Sequence, residues 1–148
     1  MNLSAHFTLG ELTASQWAAR NGYDNTPSDP ALANLKRTAA FLEQVRGVLD
    51  SLPVHVNSAY RCPRVNAAVG GSKSSAHMDG RAADIVCPEF GPPVDVARAI
   101  YASGLPFDQL ILEYGWVHVA IAREGDEPRR QVLTKASAAA PYVPGIVG

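Results

Sequence analysis

Two alternating apolar runs meet at Tyr114-Gly115 in the stretch DQLILEYGWVHVAI, residues 108–121, and no other feature narrows the possible folds as much. Each run has the period of two expected of a half-buried strand, and a two-residue connection between such runs implies a tight hairpin, although Tyr-Gly is a weaker turn signal than Asn-Gly. With Tyr114 and Gly115 as the loop, Glu113 faces Trp116 and Ile111 faces His118, and the period puts all four on one side of a sheet. Glu113 and His118 then become diagonal neighbours, with Cβ atoms about 7 Å apart, so both can reach one water or ion.

The rest of the chain supplies helices to cover that sheet. Thr8-x-x-Glu11 has capping-box spacing and predicts one short helix ending near Asn21-Gly22. After the turn-rich YDNTPSDP, Leu32, Leu35, Ala39, Leu42, Val45 and Leu49 recur at three and four, the stripe of an amphipathic helix. Val54 and Val56 alternate with His55 and Asn57 in a strand running toward Ser58 and Tyr60. CPRVNAAVGGSKSSAH reads as a loop holding a single helical turn, AADIV as a short strand carrying Asp84, and GPPVDVARAIYASG as a helix opened by prolines and closed by Gly104. The expected architecture is α+β, a small antiparallel sheet flanked by helices, in one domain spanning 1–148. Its core covers about 7–121, and 122–148 form a variable C-terminal segment with no assigned chemistry.

Composition limits the partners. The 148 residues are 47% hydrophobic and 18% charged, and 13 Lys and Arg against 14 Asp and Glu leave a net charge of −1, which gives no long-range pull toward nucleic acid or anionic membrane. No apolar run approaches the roughly 20 residues that span a bilayer, and the start MNLSAHFTLGEL lacks the basic and apolar regions of a signal peptide. Cys62 and Cys87 lack a CxxC spacing and read as free thiols, with a disulfide or a metal role for Cys62 as alternatives.

The stretch SAHMDGRAAD sets His77 and Asp84 seven positions apart around Gly80. A histidine in a strand is more often a core or surface residue than a ligand, and Asp84 has an alternative reading as a turn cap. A carboxylate inside a small-apolar, β-branched run must, however, be paired, hydrogen-bonded or metal-bound when buried. Two imidazoles and a carboxylate with an open fourth position form a common catalytic zinc arrangement, and a nearby carboxylate can carry the proton. His77, Asp84, His118 and Glu113 supply those parts. There is no HExxH, so local spacing alone is moderate support.

At these residues the chain resembles zinc peptidases of the D-alanyl-D-alanine carboxypeptidase type, a family that includes vancomycin-resistance dipeptidases and many phage endolysins. The resemblance is carried by Ser75-x-His77-x-x-Gly80-x-Ala82-x-Asp84, by the preceding Ser58-Ala59-Tyr60-Arg61 and by the following Trp116-Val117-His118-Val119. It covers most of residues 7–120 and is nearest to the small single-domain, phage-type branch. It implies the D-Ala-D-Ala carboxypeptidase/hedgehog-like fold, with one Zn2+ at the sheet face held by His77, Asp84 and His118. It also implies that Arg61 binds substrate and stabilises developing charge, a task suited to the fixed donor fork of a guanidinium. Ser75, Tyr60 and Trp116 are expected at the substrate, each with an alternative as turn cap, core or rim residue. Gly70-Gly71 reads as a sharp turn, Asn66 as structural, His55 as a sheet residue and His6 as part of a frayed start. One departure concerns the acidic residue: better-known members carry it three positions before the last histidine, where this chain has Gly115. Glu113 is the expected base and Asp79 the fallback.

The implied function is zinc-dependent hydrolysis of an amide bond in peptidoglycan peptides, by a carboxypeptidase or an endopeptidase, as in cell-wall degradation by endolysins. The alternatives are a non-catalytic zinc-containing wall-binding or virion module and a zinc hydrolase of other peptides. The expected partner is the peptidoglycan peptide, with no nucleic acid, no membrane insertion and a monomeric state. Without a signal peptide, the expected location is the host cytoplasm before release by a holin-like route, or the virion.

Overall fold

Capping groups in the sequence set where the helices begin. In the computed structural model, which describes all of Met1–Gly148, the Thr8 hydroxyl accepts from the Glu11 amide and Glu11 returns the bond to the Thr8 amide, opening α1 (Leu9–Thr13). The single helix expected here is two. Ser15 caps α2 (Gln16–Asn21), whose end is closed by Gly22 in the left-handed region, so the chain breaks at extended Ala14 and restarts on a new cap. Ser28 caps α3 (Asp29–Val48), with a proline in its first turn. The α3 stripe is close to the expected one, with Ala31, Thr38 and Phe41 buried in addition and Leu32 only half-buried.

β1 (His55–Ser58) leads through α4 (Pro63–Ala68) and a 3-10 turn (Ala76–Asp79) to β2 (Ala82–Val86). α5 (Pro93–Ala102), β3 (Gln109–Leu112), β4 (Val117–Ala120), β5 (Gln131–Lys135) and β6 (Tyr142–Pro144) complete the chain. The hairpin has the expected register: Ile111 pairs with His118, Leu112 with Val117, and the Glu113 amide donates to the Trp116 carbonyl at 3.0 Å.

The sheet is mixed rather than purely antiparallel. Its order is β1-β2-β4-β3-β5-β6, and the β3–β5 pair is parallel. The expectation failed because the segment after residue 121, read as a loop and small-residue tail, holds β5 and β6. The chain leaves β4, crosses to the free edge of β3 and runs alongside it, so its pairing partner lies about twenty positions back and gives no local signal.

Period two sorts the sheet into a dry face and a polar one. Ala83, Ile85, Leu110, Leu112, Val117 and Val119 join Leu35, Leu42 and Val45 of α3 and Val96, Ala97 and Ile100 of α5 in one core. Fully burying a leucine such as Leu35 contributes about 1.5–3 kcal/mol. The opposite face carries Asp84, Gln109, Ile111, Glu113, His118 and Leu133, which line a cleft of about 1050 Å³. Helices cover only the dry face near these strands, which leaves the polar one accessible. No helix is long and apolar enough to cross a membrane.

Candidate metal centre

Cross-strand pairing brings the chemistry together. Ser58 lies opposite Asp84, Asp84 opposite His118, and His118 opposite Ile111, a row across four strands. His77 reaches the row from the 3-10 turn just before β2. α3 fixes that turn through two bonds to its backbone, Asn34 Nδ2 donating to the Asp79 carbonyl at 2.9 Å and Thr38 Oγ1 to the Gly80 carbonyl at 2.7 Å. Gly80 sits at φ +77°, and a Cβ there would lie 2.5 Å from the Ala31 carbonyl oxygen, so the close approach to α3 requires glycine.

One ligand-type atom from each of His77, Asp84 and His118 lies within 4.8 Å of the others, and all three residues are buried. His77 Nε2 is 3.3 Å and His118 Nδ1 is 3.0 Å from Asp84 Oδ1. The outward nitrogens face oxygens that only accept: His77 Nδ1 lies 2.6 Å from the Ala59 carbonyl and His118 Nε2 lies 3.1 Å from Gln109 Oε1. A neutral imidazole has one N–H, and each outward nitrogen has an acceptor within reach, so both rings can adopt the tautomer that turns a lone pair inward. In that tautomer two nitrogen lone pairs and a carboxylate oxygen converge on one point, the arrangement that a cation among them would satisfy. The donor set therefore fits a metal ion, and hydrogen bonds on the outward nitrogens are the usual support of metal-binding histidines.

Local charge agrees with that fit. Burial pushes the His77 imidazole below its ordinary pKa, against the pull of Asp84, which keeps the ring neutral. Burial also works against the charge on Asp84, but positive charge and N–H groups turned toward it by His77 and His118 outweigh it and hold the carboxyl well below the usual carboxylate range; a bound cation would take over that role when both rings are neutral with lone pairs inward.

The peptidase M15 family pattern matches residues 5–120. The chain belongs to the peptidase M15 family. It is also similar to the zinc D-Ala-D-Ala carboxypeptidase of Streptomyces albus G, at 33% identity over 82 residues, which is 54% of this chain and 31% of that protein. The match thus spans under a third of that relative.

In this peptidase M15 chain the other expected residues divide. Arg61, half-buried, lines the cleft, and its Nε is buried without a hydrogen-bond partner. Burial lowers its pKa, against the pull of Asp84 and Glu113, but a guanidinium keeps its charge. Glu113 and Trp116 line the same cleft, and Trp116 Nε1 donates to Glu113 Oε2 at 2.9 Å, leaving the other carboxylate oxygen for other partners. Burial and the Asp84 charge raise the Glu113 pKa above its ordinary value. Ser75 lines the cleft too, while its hydroxyl accepts from the His77 amide and caps the 3-10 turn.

Tyr60 does not reach the cleft. It is 5% exposed and belongs to the apolar core, because extended neighbours point to opposite sides and Arg61 takes the cleft side. Asp79, the fallback base, is also elsewhere: its Oδ2 takes Arg81 Nε and the terminal Arg81 nitrogen at 3.1 and 2.8 Å. Gly70 turns the chain at φ +76°, and Gly71 packs against the buried Asn66, whose Nδ2 donates to the Ser72 carbonyl. His6 is not frayed, since its Nδ1 lies 2.7 Å from Glu43 Oε1. Cys62 and Cys87 are free thiols outside the metal cluster.

Sequence reasoning missed Gln109 and the cleft residues of β5 and β6, namely Gln131, Leu133, Lys135 and Tyr142. Gln109 could have been found, since counting back by two from Glu113 passes Ile111 and reaches it. The others needed the parallel pairing.

Proposed function

We propose that this protein is a zinc metallopeptidase that hydrolyses an amide bond in the peptide part of bacterial peptidoglycan. The observation that carries the reading is the convergence of His77 Nε2, Asp84 Oδ1 and His118 Nδ1 at the floor of a cleft that also holds an unpartnered Arg61 and the carboxyl of Glu113. Two imidazoles and one carboxylate suit zinc among biological ions. When bound, the ion supplies a Lewis acid that polarises a carbonyl and acidifies water.

The chain's own residues do the rest. Ionised Glu113 accepts a proton from the attacking water and delivers it to the leaving nitrogen, and its raised pKa makes that delivery easier near neutral pH. Arg61 donates hydrogen bonds to the oxygen on which charge develops, and burial strengthens them because little water competes. Trp116 holds Glu113 through its indole N–H and walls the cleft beside it, and Ser75 lies at the rim within reach of a substrate polar group. The D-Ala-D-Ala carboxypeptidase/hedgehog-like fold, the phage-type branch, a monomeric state and action on the wall after release from a host cytoplasm or from a virion belong to the same reading.

A non-catalytic zinc module is the second reading, favoured by the Trp116 bond that already occupies one Glu113 oxygen. Digestion of purified peptidoglycan by zinc-loaded and chelated protein, with released fragments identified by mass spectrometry, separates the two. Zinc-dependent fragments support hydrolysis, and their new termini name the bond. Tight zinc with no product from several wall types supports the module.

A further inference from the structure

The Gln109 side chain lies between two elements that the sequence keeps apart. It stands on the cleft face at the start of β3, with Ala120 of β4 on one side and Gln131 of β5 on the other. Its Oε1 lies 3.1 Å from His118 Nε2, and its Nε2 donates to Gln131 Oε1 at 2.9 Å. The amide is thus held at both ends, against the ring and against a strand that lies beyond the residues matched by the family pattern.

This contact offers the outward nitrogen of His118 an acceptor that competes with Asp84 for the ring proton. With Gln109 Oε1 accepting, the ring proton resides on Nε2 and Nδ1 is free. An apolar side chain at 109 removes that acceptor. The nearest remaining one is Asp84 Oδ1, 3.0 Å from Nδ1, so the proton moves inward and occupies the ligand position.

We propose that Gln109 is a positioning residue for metal binding: it fixes the Nδ1-free tautomer and the ring orientation of His118, and Gln131 of β5 supports it. The inference rests on the metal-site reading above and extends it to the C-terminal strands. Supporting hydrogen bonds of this kind are typically worth 10–100-fold in metal affinity.

The test uses the full chain, stripped of metal and titrated with Zn2+ against a chelator of known affinity, as wild type, Gln109→Leu, Gln109→Glu and Gln131→Ala. Gln109→Leu is expected to bind zinc about 10–100-fold more weakly. Gln109→Glu, which keeps an acceptor, is expected to restore most of the affinity. Gln131→Ala, which removes one exposed bond, is expected to lose no more than about tenfold. Long-range proton–nitrogen NMR of metal-free wild type in mildly alkaline buffer is expected to find the His118 proton on Nε2, with signal shifting to Nδ1 in Gln109→Leu. That readout does not move for a side chain that merely fills space.

No zinc uptake by wild type defeats the metal-site reading itself. Tight zinc in wild type with equal affinity in Gln109→Leu overturns the positioning role and leaves the metal site standing. If Gln109→Leu does not fold, the wild-type spectrum decides, since a proton on Nδ1 overturns the proposal and one on Nε2 supports it.

Discussion

Asp84 is a buried carboxylate and Glu113 a half-buried one at the same cleft, yet their surroundings push their pKa values in opposite directions, which fits the separate roles proposed for them. Asp84 is held ionised beside two imidazoles, whereas burial and the charge of Asp84 favour the protonated form of Glu113. Asp84→Asn is expected to abolish stoichiometric zinc, measured by elemental analysis after dialysis. Glu113→Gln is expected to keep zinc and lose about 10²–10⁴-fold in kcat on whichever wall fragment proves to be the substrate. In the proposed mechanism the working form of Glu113 is ionised, so activity is expected to fall as pH drops through its raised pKa, placing the acid limb of the rate profile above the ordinary glutamate range. The stability sign is the reverse of the usual carboxylate case: a raised folded pKa means that ionised Glu113 opposes folding above that pKa. Chelated Glu113→Gln is therefore expected to melt higher than chelated wild type at neutral pH. The candidate metal cluster was legible because few residue types bind metal and the chain has only four histidines. Of the two places open to Tyr60, substrate or core, the structure has the core, because one position along an extended chain is the difference between core and cleft.

Among the elements, the 3-10 turn of Ala76–Asp79 has the narrowest tolerance, because it must deliver His77 to a point set by two strands. Its closing residue, Gly80, has positive φ and no room for a Cβ against α3. Gly80→Ala is expected to cost at least about 1–3 kcal/mol through backbone strain, read as a fall of roughly 2–4 °C in Tm per kcal/mol, together with weaker zinc binding. A structural glycine elsewhere would change only the first of these. Local signals wrote most elements plainly: Thr8, Ser15 and Ser28 each cap a helix, and the period-two runs gave the register of the β3–β4 hairpin. The break between α1 and α2 had a visible signal in Ser15. β5 and β6 had none of comparable strength, since a parallel partner is chosen by long-range packing rather than by a turn.

Taken whole, the molecule places its dry packing on one face of the sheet and nearly all its chemistry on the other. On the proposed reading, stability and function are therefore expected to be coupled chiefly through His77, Asp84 and His118. Zinc that binds only the folded chain stabilises it by mass action, by about 4 kcal/mol when free zinc is a thousandfold above Kd. For a chain of this size that amounts to roughly 8–16 °C in Tm, reversible on chelation, and calorimetry with and without chelator checks it. A change in Tm that is absent from Asp84→Asn ties the effect to this site rather than to adventitious zinc.

Asp84 and His118 lie 34 residues apart in the chain and side by side across β2 and β4. An ion shared between them closes that loop as a covalent staple would, but with a bond that competing ligands can undo. Resistance to proteolysis then becomes a property of the surroundings as much as of the sequence. If the site holds zinc as proposed, the same molecule is expected to be long-lived where zinc is plentiful and short-lived where it is withheld.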